Sequence, residues 1–167
     1  MIVLPSDFVG KYAITQKYNS NDIEVLIEEN EEQIIYELLG VELGNDLLTN
    51  LGSLPANLQF IYDPFAVNYI PKCGLDTILV KSDGIKVMLL NILTGYYYLT
   101  QYGTATSEGK VKLKPEGGSL INDDYTNNYK LYNRGIYTYR AIQKYIKENE
   151  DTYSTFEGVD KQTAWLI

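Results

Sequence analysis

A nucleophilic site in this chain would have to be built on Cys73, the single cysteine, because the sequence contains no histidine. The thiolate is the attacking species, and an imidazole is its usual activator. Without one, Cys73 reads as a buried or incidental thiol. Ser-His-Asp arrangements are excluded outright. A zinc site lacks its ordinary ligands, and one cysteine cannot form a disulfide within the chain.

Three further patterns invite a chemical reading. Gly103-Thr104-Ala105-Thr106-Ser107-Glu108-Gly109-Lys110 resembles a phosphate loop at a glance. It has one residue too many between the glycines, and Val111 stands where Ser or Thr would hold magnesium. It also follows a helical pattern and precedes a strand pattern, the reverse of the required context. The carboxylate clusters at Glu28–Glu32 and Asp123-Asp124 fall on a helix face and a helix start, where solvation and the helix dipole account for them. No EF-hand spacing occurs, and no cofactor is expected. Finally, Tyr125, Tyr129, Tyr132, Ile136 and Tyr139 follow a 4-3-4-3 spacing. Such a stripe can stack nucleobases, but stacking platforms normally sit in a positive groove. Here Lys130, Arg134, Arg140, Lys144 and Lys147 share a helix that begins acidic. A core or a seam between subunits explains the stripe better.

The composition agrees with a binding surface more than with a catalyst. The chain has 167 residues, a net charge of −8 and 16 Tyr against one Trp and four Phe. Tyrosine packs its ring while its hydroxyl reaches water or a partner, which suits interfaces. Tight binding to nucleic acid relies on Lys and Arg, so an acidic chain suits it poorly. The charge is compatible with lining a passage through which DNA slides, and equally with solubility alone. Met1-Ile2-Val3-Leu4-Pro5 lacks the basic flank and apolar core of a signal peptide. No apolar run approaches the roughly 18 residues of a membrane span. These features predict a soluble, intracellular protein with no membrane partner.

The elements follow from spacing. Residues 1–20 read as an extended N-terminal arm broken by Pro5 and Gly10, carrying Ile2, Val3, Leu4, Phe8 and Val9. A helix is expected from Asn21, with Glu24 completing a capping box, to the stop at Gly40. Its stripe is Ile23, Ile27, Ile34 and Leu38, widened by Leu26, Ile35 and Leu39. A short helix over Asn45–Leu51 follows, capped by Gly44 or Asn45 and stopped by Gly52. Pro55, Pro64 and Pro71 interrupt the next stretch, read as loops, a turn of helix and a short strand at Thr77–Val80. A helix over about 83–102 has apolar residues at nearly every position, so it is expected to be central and buried almost all round. Residues 104–121 alternate at Lys110-Val111-Lys112-Leu113-Lys114 and read as a β-hairpin excursion. A long helix over about 123–149 carries the tyrosine stripe. Residues 150–167 form a C-terminal arm ending in Trp165, Leu166 and Ile167. The expected fold is mainly α: a bundle of about four helices over 21–149, with a β-hairpin insertion and extended terminal arms.

This order resembles a known family. The residues that carry the resemblance are Asp7-Phe8-Val9-Gly10-Lys11-Tyr12, the helix closing on Leu38-Leu39-Gly40, the Tyr-rich central helix, the excursion from Thr104 to Val111, and Leu131-Tyr132-Asn133-Arg134-Gly135. Over about residues 7–149 the chain is similar to head–tail connector (adaptor) proteins of tailed bacteriophages, particularly those of Bacteroidetes hosts, including the crAss-like group. The resemblance implies a non-catalytic virion protein, made in the host cytoplasm and assembled as a ring, typically of twelve copies, beneath the portal. Such a ring extends the DNA channel, with DNA only as passing cargo, and docks the next tail component. Its partners would be other copies of itself, the portal protein and downstream tail proteins. Ile2, Val3, Leu4, Phe8, Tyr125, Tyr129, Tyr132, Tyr139, Trp165, Leu166 and Ile167 are the residues expected at its interfaces. Two other readings stay open within non-enzymes: a tail-completion or stopper ring protein, and an acidic host-directed adaptor or inhibitor. A carboxylate-dependent metal hydrolase is the enzyme alternative.

Overall fold

The computed structural model describes residues 1–14, 20–70, 76–100, 104–106, 109–111 and 123–163. Side chains are described throughout these except at 20–22, 97–100, 104–106, 109–111 and 123–128. Two 3-10 turns, Pro5–Asp7 and Gly10–Tyr12, lead into α1 (Ser20–Leu39), α2 (Val41–Thr49) and α3 (Ala56–Tyr62). A hairpin of β1 (Phe65–Tyr69) and β2 (Ile78–Ser82) comes next, then α4 (Ile85–Thr100), a second small hairpin of β3 (Thr104–Thr106) and β4 (Gly109–Val111), and α5 (Asp123–Glu148). The fold is mainly α, a small bundle with β-hairpin structure.

At the centre lies α4. Ile85, Met88, Leu89, Leu90, Ile92 and Leu93 are all 5% exposed or less, so this helix is covered on nearly every side. Its main neighbour is α5, which runs antiparallel to it and turns Ile136, Tyr139, Ile142 and Ile146 inward. Two glycines let the helices meet almost backbone to backbone. A Cβ on Gly95 would lie 2.6 Å from Tyr132 Cβ, and one on Gly135 would lie 2.5 Å from Ile92 Cγ1. Each notch receives the other helix, so larger side chains at either site would force the pair apart. α1 completes the core with Leu26, Ile27, Ile34, Ile35, Leu38 and Leu39. Burying each such side chain fully contributes about 1.5–3 kcal/mol.

The structure differs from the sequence expectations in two places. α2 starts four residues earlier than expected, directly after Gly40, which adopts φ 87° and redirects the chain without a loop. Gly44 is therefore inside the helix and not its cap. It accommodates Tyr36, whose Cδ1 would come within 2.7 Å of any Cβ there. Second, the proline-interrupted stretch, expected to hold a turn of helix and one short strand, holds a two-turn helix and a whole hairpin. β1 and β2 pair antiparallel with Val67 opposite Val80 and Tyr69 opposite Ile78. An aromatic cluster fixes this hairpin to α5: Phe60, Phe65 and Tyr145 have ring centroids 4.7–5.1 Å apart. The five helices among the described residues agree with the expected small bundle of about four. The expected excursion is represented by β3 and β4, paired with Ala105 opposite Lys110.

Candidate functional site

The N-terminal segment folds back on its own body. Val3 is fully buried, Ile2 and Phe8 are 5% and 6% exposed, and only Leu4 among the expected interface residues of this arm is open to solvent, at 48%. The reason is Glu31. It stands in an acidic run whose neighbours Glu28, Glu29 and Glu32 are solvent-exposed, yet it is only 6% exposed itself. Its two carboxylate oxygens accept the main-chain N–H groups of Ile2 and Val3, at 2.8 and 2.9 Å. An ionised acceptor makes each bond roughly twice as strong as a neutral one. A second tether lies just beyond. Asp7 accepts the Leu4 N–H at 2.8 Å and pairs with Lys86 Nζ at 2.8 Å. Burial alone would raise the Asp7 carboxyl, but the bonds from Lys86 and Leu4 hold it below its ordinary value.

The C-terminal segment is likewise docked, as far as it is described. A helix leaves its last carbonyls without intrahelical partners, and here the tail supplies them. Glu157 N–H donates to Leu39 O at 3.2 Å and Val159 N–H to Glu37 O at 2.6 Å, while Gln143 Nε2 of α5 donates to Leu38 O at 3.0 Å. Gly158 makes this approach possible, since a Cβ there would fall 2.1 Å from Leu38 O. Side chains close the strap. Tyr139 Oη donates to Val159 O at 2.5 Å, Arg140 Nε to Lys161 O at 3.0 Å, and Lys161 Nζ pairs with Glu37. Burial drives the Tyr139 hydroxyl far above its ordinary pKa, so it stays a donor. Burial would raise the Glu37 carboxyl too, but Lys161 and Gln33 together hold it below its ordinary value. Nearer the tail's start, Tyr153 Oη donates to Asn57 O at 2.8 Å.

The tyrosine stripe divides. Tyr139 is fully buried in the chain's own core; Tyr129 and Tyr132 are half-buried, the latter against Gly95. The side chain of Tyr125 and all of Cys73, Trp165, Leu166 and Ile167 lie outside the described residues. The outward face of α5 is instead marked by Tyr137, which is 63% exposed and flanked along the helix by exposed Lys130, Arg134 and Lys144. Asp83 orients Arg134 through its Nε at 2.9 Å, and Lys144 rests over the Tyr69 ring at 4.8 Å. On another side, α1, the start of α2 and the tail enclose an open groove of about 470 Å³ whose rim includes Glu28, Glu29, Glu32 and Glu157. No family model matches this chain, and neither does any curated protein or solved structure. Among the described residues, no three His, Cys, Asp or Glu side chains are grouped so as to hold a metal ion, and no helix is long and apolar enough to cross a membrane.

Sequence reasoning missed Glu31, Gln143 and Tyr137. Glu31 and Gln143 sit at buried positions of their helices, a signal visible once the apolar stripes are drawn. Tyr137 falls outside the 4-3-4-3 series, which is what places it on the far side of the helix.

Proposed function

We propose that this chain is a non-catalytic virion structural protein, a head–tail connector (adaptor) subunit that forms a ring below the portal of a tailed bacteriophage. The observation that carries the reading is the architecture: a helical body with hairpin excursions, in the element order on which the resemblance to connectors rests. Two features of the surface support it. The polar groups of the groove and of the α5 face are carboxylates, amines and phenols spread over broad areas, the chemistry of contact between macromolecules. The net charge of −8 suits a channel wall that must let DNA pass without holding it. In this role the chain would associate with copies of itself, with the portal and with the next tail component, and it would meet DNA only as cargo.

The deciding experiment is a cryo-EM reconstruction of virions of the source phage, focused on the portal vertex. Density for this chain as a closed ring beneath the portal is the expected result. A ring further down the neck would make it a stopper or tail-completion protein. Its absence from the vertex would overturn the proposal and leave a host-directed adaptor as the better account.

A further inference from the structure

The outward face of α5 is exposed, although Asp83 pairs with Arg134 on it and Lys144 lies over the Tyr69 ring. Lys130, Arg134, Tyr137 and Lys144 line up along it, opposite the buried Ile136, Tyr139, Ile142 and Ile146. Tyr137 at 63% exposure and Arg134, whose side chain is 55% exposed, are residue types that recur at the centres of protein interfaces. The stripe from Lys130 to Lys144 is about 21 Å long at 1.5 Å per residue. The groove on α1 offers the complement. Glu28, Glu29, Glu32 and Glu157 supply negative charge around it, and Val41 and Val159, each 59% exposed, supply apolar contact. From Glu28 to Gly40 it runs about 18 Å along the helix. The strap of residues 157–162 lies between the two surfaces, so one copy presents both at once.

We infer that the basic, tyrosine-bearing face of α5 in one copy docks in the acidic α1 groove of a second copy of this chain. The inference rests on the ring reading above and names the contact that would build the ring. Charge complementarity is the argument for a second copy: Lys130, Arg134 and Lys144 share one exposed helix face of an overall acidic chain, and the chain's own groove is opposite to that face in charge and similar to it in length. Because the two surfaces differ, the contact is head-to-tail, and repeating it closes a ring or extends a filament. Opposed charges would also steer the encounter and reject the reversed orientation.

The test uses the full chain and two doubly reversed variants, Lys130→Glu with Lys144→Glu, and Glu28→Lys with Glu32→Lys, with circular dichroism melts confirming that each folds. Self-association is followed by sedimentation velocity and mass photometry. Each variant alone should associate at least about tenfold more weakly, because like charges now face one another. An equal mixture of the two should assemble again, in alternation. Wild-type association should also weaken between about 0.01 M and 1 M salt, as the screening length falls from roughly 30 to 3 Å. Assembly that ignores both reversals and salt overturns this contact while leaving the ring reading intact, as does a mixture that fails to recover. A wild-type chain that stays monomeric at every concentration overturns both. Loss of DNA binding on reversing α5, with self-association unchanged, would assign that face to nucleic acid and overturn the inference as well.

Discussion

Replacing Glu31 by Gln separates a structural arm from one free to leave. The carboxylate is buried and accepts from both Ile2 and Val3 N–H groups. An amide keeps one oxygen but turns the other into an NH2, which points a donor at a donor. One bond to a charged acceptor, worth about 1.5–3 kcal/mol, disappears, and the surviving bond weakens. The expected loss is therefore about 2–4 kcal/mol. For a chain of this length each kcal/mol lowers Tm by about 2–4 °C, so a drop of about 5–15 °C is expected in a circular dichroism melt. Hydrogen exchange should show the Ile2 and Val3 amides losing protection before any amide of α4 does. A melt within about 1 °C of wild type, with those two amides still protected, would refute the argument; the arm would then be held by Ile2, Val3 and Phe8 packing alone.

Three other outcomes follow from the packing and the charges. Gly95→Ala and Gly135→Ala should each destabilise by about 1–3 kcal/mol in urea unfolding, and less than additively when combined, because both widen the same helix crossing. Thr94 and Asn91 are fully buried on α4, and neither the Thr94 hydroxyl nor the Asn91 amide has a hydrogen-bond partner among the described residues. Thr94→Val, which keeps the shape and removes the hydroxyl, should therefore stabilise by about 1 kcal/mol, measured as a higher urea midpoint at constant slope. The Glu37 carboxyl is held below its ordinary value of 4.5, so its contribution is complete above that pH and is lost as pH falls through the lowered value. Acidification should thus free the strap at residues 157–161, read as faster exchange there, and Lys161→Met should weaken that pH dependence, leaving only the part due to Gln33.

How much of this was legible in the sequence depended on whether a residue's partner was close in the chain. The all-round burial of α4 could be read directly, because nearly every position from Ile85 to Leu93 is apolar. The helical nature of α5 was equally plain from its tyrosine spacing. Its orientation was not, since that is fixed by the notches at Gly95 and Gly135, which meet only in space. Gly44 reads as a candidate helix cap beside Asn45, because glycine usually marks an end; its task here is to make room for Tyr36. Glu31 looked like part of a solvated acidic run, although it falls between Ile27 and Ile34 on the buried stripe and Glu32 does not. Its distinction comes from Ile2 and Val3, nearly thirty positions away. β1 was hidden for another reason: a five-residue strand between Pro64 and Pro71 is too short for its imperfect alternation to rise above chance.

The strap that satisfies the end of α1 also sets a timetable for synthesis. The carbonyls of Glu37, Leu38 and Leu39 wait for Val159, Gln143 and Glu157, the Leu38 bond alone spanning 105 positions. At roughly 5–20 residues per second, the gap between translating α1 and translating its strap is about 6–24 s. Through that interval the nascent chain carries a frayed helix end and an unsealed core, an invitation to chaperones and proteases. A product truncated anywhere before residue 157 would never leave that condition.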